Sequence, residues 1–183
     1  IVIKMTATEK EPTVETRRVY EGNILNLRVD KVGLSNGNLG TREIVEHADC
    51  VCMVPVDEQQ NVVLVSQYRK SVEETLLEVP AGGVETGELS EEAVLRELQE
   101  ETGYTADNVQ LLSSFWTTPG FCTERMHSYL ATGLRRSTRE GDEDEEIQVI
   151  KVPMAGIPEM IRRGQIRDAK SIASLLMALS LYK

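Results

Sequence analysis

Only two histidines, His47 and His127, occur in the 183 residues, so imidazole-rich metal centres and most serine or cysteine triads are poor readings of this chain. Cysteine is scarce as well. Cys50, Cys52 and Cys122 are odd in number and show no CxxC spacing, which argues against a disulfide framework or a tetrahedral zinc site and leaves buried free thiols as the expectation. No stretch approaches the roughly 18 unbroken apolar residues of a membrane span. The opening IVIKMTATEKEP has neither the apolar core nor the cleavage site of a secretory signal, so a cytoplasmic protein without a membrane partner is expected. Met5 is the expected natural start, and Ile1 to Lys4 carry no functional weight. Cations are outnumbered, 20 Lys and Arg against 30 Asp and Glu, giving a net charge of -10 and a pI near 4.8. A general nucleic-acid binder needs a basic surface to replace phosphate counterions, so no nucleic-acid partner is expected. An anionic small molecule would bind only where metal ions or a few arginines reverse the field locally. Internal repeats and low-complexity linkers are missing too. What remains is average globular usage, 40% hydrophobic and 27% charged, in a length that suits one domain with a real core. Chemistry is left to carboxylates.

Alternation of apolar and polar residues in TVETRRVY, NILNLRVDKVGL and TREIVEH, broken by Glu21-Gly22 and by SNGNLG, predicts antiparallel strands up to about Glu46. CVCMVPV and VVLVSQY, joined by DEQQN, read as a hairpin buried on both faces and as the core of the sheet. LLEVPAGG is a short strand running into a glycine loop. GELSEEAVLRELQEETGY has helical spacing, with Ser90 as N-cap, Gly103 as the residue past the end, and Leu89 and Val94 as a hydrophobic staple. Strands follow in VQLLSSFW, RMHSYLATGL and IQVIKV, with the acidic run Gly141 to Glu146 before the last. Two helices, around Ala155 to Arg163 and Ala169 to Tyr182, close the chain on either side of Gly164. The class is α+β with a mixed sheet.

Glu97, Glu100 and Glu101 stand three and four apart and project from one face of the predicted helix. Like charges so placed repel, and partial burial beside Val94 and Leu98 raises the cost. One reading is a solvated face on which Arg96 pairs with Glu92 and Glu100. The other is a site for hard divalent ions such as Mg²⁺ or Mn²⁺, which prefer carboxylate, carbonyl and water oxygens and share their shell with substrate phosphates. The frame around the carboxylates separates the two. Gly82 to Tyr104 reads GGVETGELSEEAVLRELQEETGY and resembles the Nudix box, G-x5-E-x7-R-E-U-x-E-E-x-G-U, at Gly82, Glu88, Arg96, Glu97, Leu98, Glu100, Glu101 and Gly103. Tyr104 departs from the aliphatic preference at the last place. Gly82 and Gly83 permit a tight loop that directs a carbonyl such as that of Ala81 toward the helix, and Arg96 can pair with Glu88 and leave the other carboxylates to metal. The resemblance implies Ala81, Glu97, Glu100 and Glu101 as metal ligands, with Gly82, Glu88 and Arg96 in support.

LLEVPAGGVE, VVLVSQYRK, TTPGFCTERMHSYLATG with Pro119, and RRGQIRDAKSIASLL are similar to the ADP-ribose pyrophosphatase and nucleoside-diphosphate-sugar diphosphatase branch of that superfamily. The likeness implies a Nudix fold, a mixed β-sheet sandwiched by helices, with residues 1–46 an N-terminal antiparallel extension for dimerisation and the substrate pocket and 47–183 the hydrolase domain. It implies a homodimer and a divalent-metal-dependent hydrolysis of ADP-ribose to AMP and ribose 5-phosphate. Arg42 and Arg69 would contact phosphates or ribose, and Glu124 would hold a substrate hydroxyl or position an arginine. In the acidic run, alignment on IQVIKV makes Glu143 the base that activates water and Glu145 an added metal contact, on a loop that closes over the metals. A broader nucleoside-diphosphate-sugar or dinucleotide diphosphatase is the near alternative. A non-catalytic sensor of a nucleotide metabolite is the alternative from another class, and it predicts damaged carboxylates or an appended DNA-binding module. Neither is present.

Overall fold

The computed structural model describes residues 10–137 and 147–181. By its contacts the chain falls into two compact units, Ile1–Ala48 with Thr118–Glu124, and Asp49–Thr117 with Arg125–Lys183.

The first unit is an antiparallel sheet of β1 (Thr13–Glu21), β2 (Leu25–Gly33) and β3 (Leu39–His47), in that order. Residues 118–124 add to it: the Val45 N–H donates to the Phe121 carbonyl at 2.7 Å and the Thr123 N–H to the Val45 carbonyl at 2.9 Å. β1 is exposed at every residue, including Val14, Val19 and Tyr20. A three-stranded sheet with so little burial on its outer strand is marginal without a cover.

The second unit holds a seven-stranded mixed sheet. Its strands are β4 (Cys50–Val56), β5 (Asn61–Arg69), β6 (Glu74–Glu78), β7 (Ala81–Gly83), β8 (Tyr104–Trp116), β9 (Arg125–Arg136) and β10 (Ile147–Pro153). The main path is β10-β5-β4-β9-β8, with β4 and β9 parallel. Helix α1 (Ser90–Thr102) lies on one face, and α2 (Ile157–Arg162) and α3 (Ala169–Leu181) on the other. Period-two alternation explains how β4 serves both. Val51 and Met53 join Ala93, Val94 and Leu98 of α1, while Cys50, Cys52 and Val54 join Ile157, Leu175 and Ala178. Full burial of each such Val, Leu or Ile contributes about 1.5–3 kcal/mol. Cys52 is a core thiol 3.2 Å from the Ser174 hydroxyl, and burial pushes its pKa up; Cys122 is only half-buried.

Four local expectations are corrected. β4 and β5 do not pair along their length as a hairpin: their register holds only Val56 with Val62. Beyond it they part like a fork, β6 pairing with β5 and β7 with β4, so that residues 78–81 fill the gap. The Met53 N–H donates to the Pro80 carbonyl at 3.0 Å. The N-cap of α1 is Leu89 rather than Ser90, because the Glu92 carboxylate reaches back 3.1 Å to the Leu89 N–H and closes the turn one residue earlier. Leu89 is 64% exposed, so it forms no staple with buried Val94. Gly103 ends the helix in the left-handed region, φ 69°, as expected. β8 begins directly after it at Tyr104, earlier than VQLLSSFW, where the Tyr104 ring packs against Arg136 and Lys151.

Candidate active site

The glutamate cluster is assembled by α1 and by β7, which the fork of β4 and β5 holds beside it. Glu97 stands so close to the backbone of Gly82 that a Cβ built on Gly82 would occupy the space of the Glu97 carboxylate. Only glycine admits that approach. One turn on, Glu101 is 8% exposed and its Oε2 accepts the Ala81 N–H at 3.0 Å. Consecutive loop residues are thus seated by consecutive turns of the helix.

Arg96 binds this arrangement together. Its Nε and Nη2 donate to the two oxygens of Glu88 at 2.9 and 3.0 Å, and Nη2 also reaches the Gly83 carbonyl at 2.7 Å. Nη1 donates to Glu97 at 2.6 Å and Glu100 at 3.1 Å. The guanidinium thus joins both pairings weighed from the sequence, taking Glu88 and Glu100 and adding Glu97, while Glu92 is taken up by the helix start. Hydrogen bonding to Glu88, aided by the Glu97 charge, raises the Arg96 pKa still further above its ordinary value, so it is a permanent cation. Within the cluster one guanidinium contacts three carboxylates, Glu88, Glu97 and Glu100, all largely screened from water. Glu97 and Glu100 converge on Arg96, whereas Glu101 turns to the loop. The donor set is all oxygen and the Gly82 cradle leaves no room for a side chain, which is the chemistry that suits Mg²⁺ or Mn²⁺.

The predicted substrate residues are spread over both units. Arg42 on β3 makes a two-point contact with Glu11, 2.9 and 2.5 Å. It also lines a cavity of about 340 Å³ within the first unit, together with Arg28, Ile44, Pro119, Phe121 and Thr123. Glu124 lies in the same unit, its N–H directed at Cys122 Sγ, 3.4 Å away. Arg69 ends β5, and its Nε and Nη2 donate to Glu78, each at 2.9 Å. Glu143 and Glu145 lie outside the described residues.

Two charged neighbours of the predicted substrate residues escaped the sequence reading. Arg28 was hidden in an ordinary alternating strand. Glu78 is 1% exposed in the apolar run LLEVP, and a charged residue inside such a run was the available signal. Burial opposes its ionised form, yet the Arg69 hydrogen bonds and the Lys170 charge outweigh this and hold its pKa below the usual carboxylate value. His127 does sit between Ser114 Oγ, 2.7 Å from Nδ1, and Asp49, 3.2 Å from Nε2. Ser114 and His127 are register partners in β8 and β9, which makes this a cross-strand bond of the sheet.

Residues 46–175 match the NUDIX domain family. The chain belongs to the Nudix family. Residues 11–45 of this Nudix protein match a second description, the nucleoside diphosphate sugar hydrolase N-terminal domain. The Nudix chain is 37% identical over 168 residues to a methanol dehydrogenase activator of Bacillus methanolicus, covering 91% of each chain. It is 38% identical over 164 residues to an ADP-ribose pyrophosphatase of Bacillus subtilis, covering 88% of this chain and 89% of that one. A crystal structure of an ADP compounds hydrolase superposes with a TM-score of 0.88 over 97% of this chain and 96% of the other; at 22% identity this establishes the shared Nudix fold.

Proposed function

We propose that this protein hydrolyses the diphosphate of ADP-ribose to AMP and ribose 5-phosphate. Water adds to one phosphorus, the bridging P–O bond breaks, and one phosphate leaves on each product. The observation that carries the reading is the seating of Glu97 against the Gly82 backbone and of Glu101 on the Ala81 N–H, with the permanent cation of Arg96 on Glu97. Mg²⁺ or Mn²⁺ held there would offset the diphosphate charge and lower the pKa of the attacking water. Glu97, Glu100, Glu101 and the Ala81 carbonyl are the proposed ligands, with Glu145 an added contact. Arg96, Glu88 and Gly82 keep the ligands in place without touching substrate. Glu143 takes the proton from water, Arg42 and Arg69 orient phosphates and ribose, and Glu124 holds a substrate hydroxyl or aligns an arginine. Exposure of Val14, Val19 and Tyr20 along β1 supports a homodimer in which a second copy covers that strand.

The match of residues 11–45 favours a second reading, a wider range of nucleoside-diphosphate sugars. A panel of adenosine, guanosine and uridine diphosphate conjugates, incubated with Mg²⁺ and analysed by mass spectrometry, separates the two. The expected result is preferential release of AMP and ribose 5-phosphate, abolished by a chelator and restored by Mg²⁺ or Mn²⁺. Turnover that ignores the chelator would overturn the metal role, and faster cleavage of other sugars would replace ADP-ribose. Glu143→Gln should slow turnover more than it weakens binding; a larger effect of Glu145→Gln would shift the base to that residue.

A further inference from the structure

The first turn of α3 carries a set of buried polar groups that the cluster on α1 leaves unexplained. Asp168 caps that helix, its Oδ2 accepting the Ser171 N–H at 2.9 Å and the Ser171 hydroxyl at 2.6 Å. The same oxygen lies 3.0 Å from Lys170 Nζ. Lys170, whose side chain is only 14% exposed, donates in turn to the buried Glu78 carboxylate, and Glu78 grips Arg69 at two points. Ser171 Oγ also accepts the Val79 N–H at 2.9 Å, fixing the residue next to Glu78. Two anions and two cations thus form one chain, Asp168, Lys170, Glu78 and Arg69. It runs from the helix on one face of the sheet to a strand residue that alternation places on the face of Val63, where α1 packs.

We propose that Lys170 is a positioning residue for substrate: by holding the Glu78 carboxylate it aims the partly exposed Arg69 guanidinium at the diphosphate ligand. The inference rests on the reading of Arg69 given under the proposed function. Glu78 precedes Ala81 by three residues, so no more than about 10 Å of chain separates the arginine's anchor from the loop seated on Glu101. That is the reach of a diphosphate and its sugar. A carboxylate with one cation would settle wherever that cation can follow it. With Lys170 fixed from the other side, the carboxylate becomes a rigid fork that Arg69 must meet in one orientation. Burial lowers the Lys170 pKa, but Asp168 and Glu78 raise it more, so the ammonium stays charged throughout the working range.

The test uses the full chain with ADP-ribose and Mg²⁺. Lys170→Met should raise KM about tenfold or more while kcat changes less than about threefold, Lys170→Arg should recover most of the loss, and calorimetric Mn²⁺ affinity without substrate should be unchanged. Arg69→Gln should raise KM at least as much, and the double variant should be no worse than Arg69→Gln alone, because Lys170 acts only through Arg69. Leu175→Ala, a core change in the same helix, should lower Tm without moving KM. If Lys170→Met fails to fold, Asp168→Asn loosens the same ammonium and should show the same split on a smaller scale. An unchanged KM in the Lys170 and Asp168 variants, with Arg69→Gln impaired, would overturn the positioning role alone. An unchanged KM in Arg69→Gln would overturn it together with the substrate role of Arg69.

Discussion

Replacing Gly82 by alanine should separate folding from chemistry. The added Cβ takes the place of the Glu97 carboxylate. Gly82 is not among the glycines in the left-handed region, so the backbone itself accepts alanine. The obstacle is the tip of a flexible side chain, and Glu97 can swing aside. What it forfeits is its bond to Arg96, 2.6 Å long between side chains 13% and 11% exposed. Hydrogen bonds to charged groups contribute about 1.5–3 kcal/mol, and alanine returns about 0.4–1 kcal/mol by restricting the unfolded chain. The net loss of about 0.5–2.6 kcal/mol lowers Tm by about 1–10 °C for a chain of this size. Turnover should fall at least about 100-fold if Glu97 holds metal as proposed, since a 100-fold loss corresponds to about 2.7 kcal/mol of transition-state stabilisation. Circular-dichroism melts and initial rates across an Mg²⁺ titration provide the readouts. A variant with native turnover at native Mg²⁺ dependence would refute the claim that the Glu97 seat matters.

Three further outcomes are expected. Glu101→Gln keeps an oxygen for the Ala81 N–H, so Tm should move by only a few degrees while kcat drops about 100-fold or more; near-native turnover would remove Glu101 from the site. Glu78 has a folded-state pKa below its unfolded value, so its contribution to stability is present above about pH 4.3 and fades as pH falls through the lower, folded value. In urea titrations the stability gap between wild type and Glu78→Gln should therefore shrink below about pH 4, and a gap that stays constant would contradict the ion-pair account. Val19→Asp on exposed β1 should halve the mass measured by light scattering; an unchanged mass would place the dimer contact elsewhere or show that none exists.

Much of this architecture was legible because period and punctuation agree. Gly103 stops α1 where a left-handed residue is needed, Gly164 does the same between α2 and α3 with φ 69°, and the double burial of CVCMVPV follows from its unbroken apolar run. The carboxylate face was readable because helical spacing is rigid. The fork was not. Nothing local in β4 or β5 says that they part after one residue pair, since the cause is the arrival of residues 74–83 from further along the chain. The same non-locality hid the Lys170 contact, which joins positions 92 residues apart. Leu89 displaced Ser90 as the helix cap because Glu92 supplies the closing bond, a competition that residue preference alone does not decide.

A sheet that leaves a slot for its own reactive segment has a bearing on how such proteins drift. Because residues 78–81 complete the backbone ladder between β4 and β5, the segment of the candidate site is part of the sheet rather than an addition to it. Lesions around Pro80 should then surface as missing protein rather than as intact but idle enzyme. Inheritance of the reaction is thereby tied to inheritance of the fold.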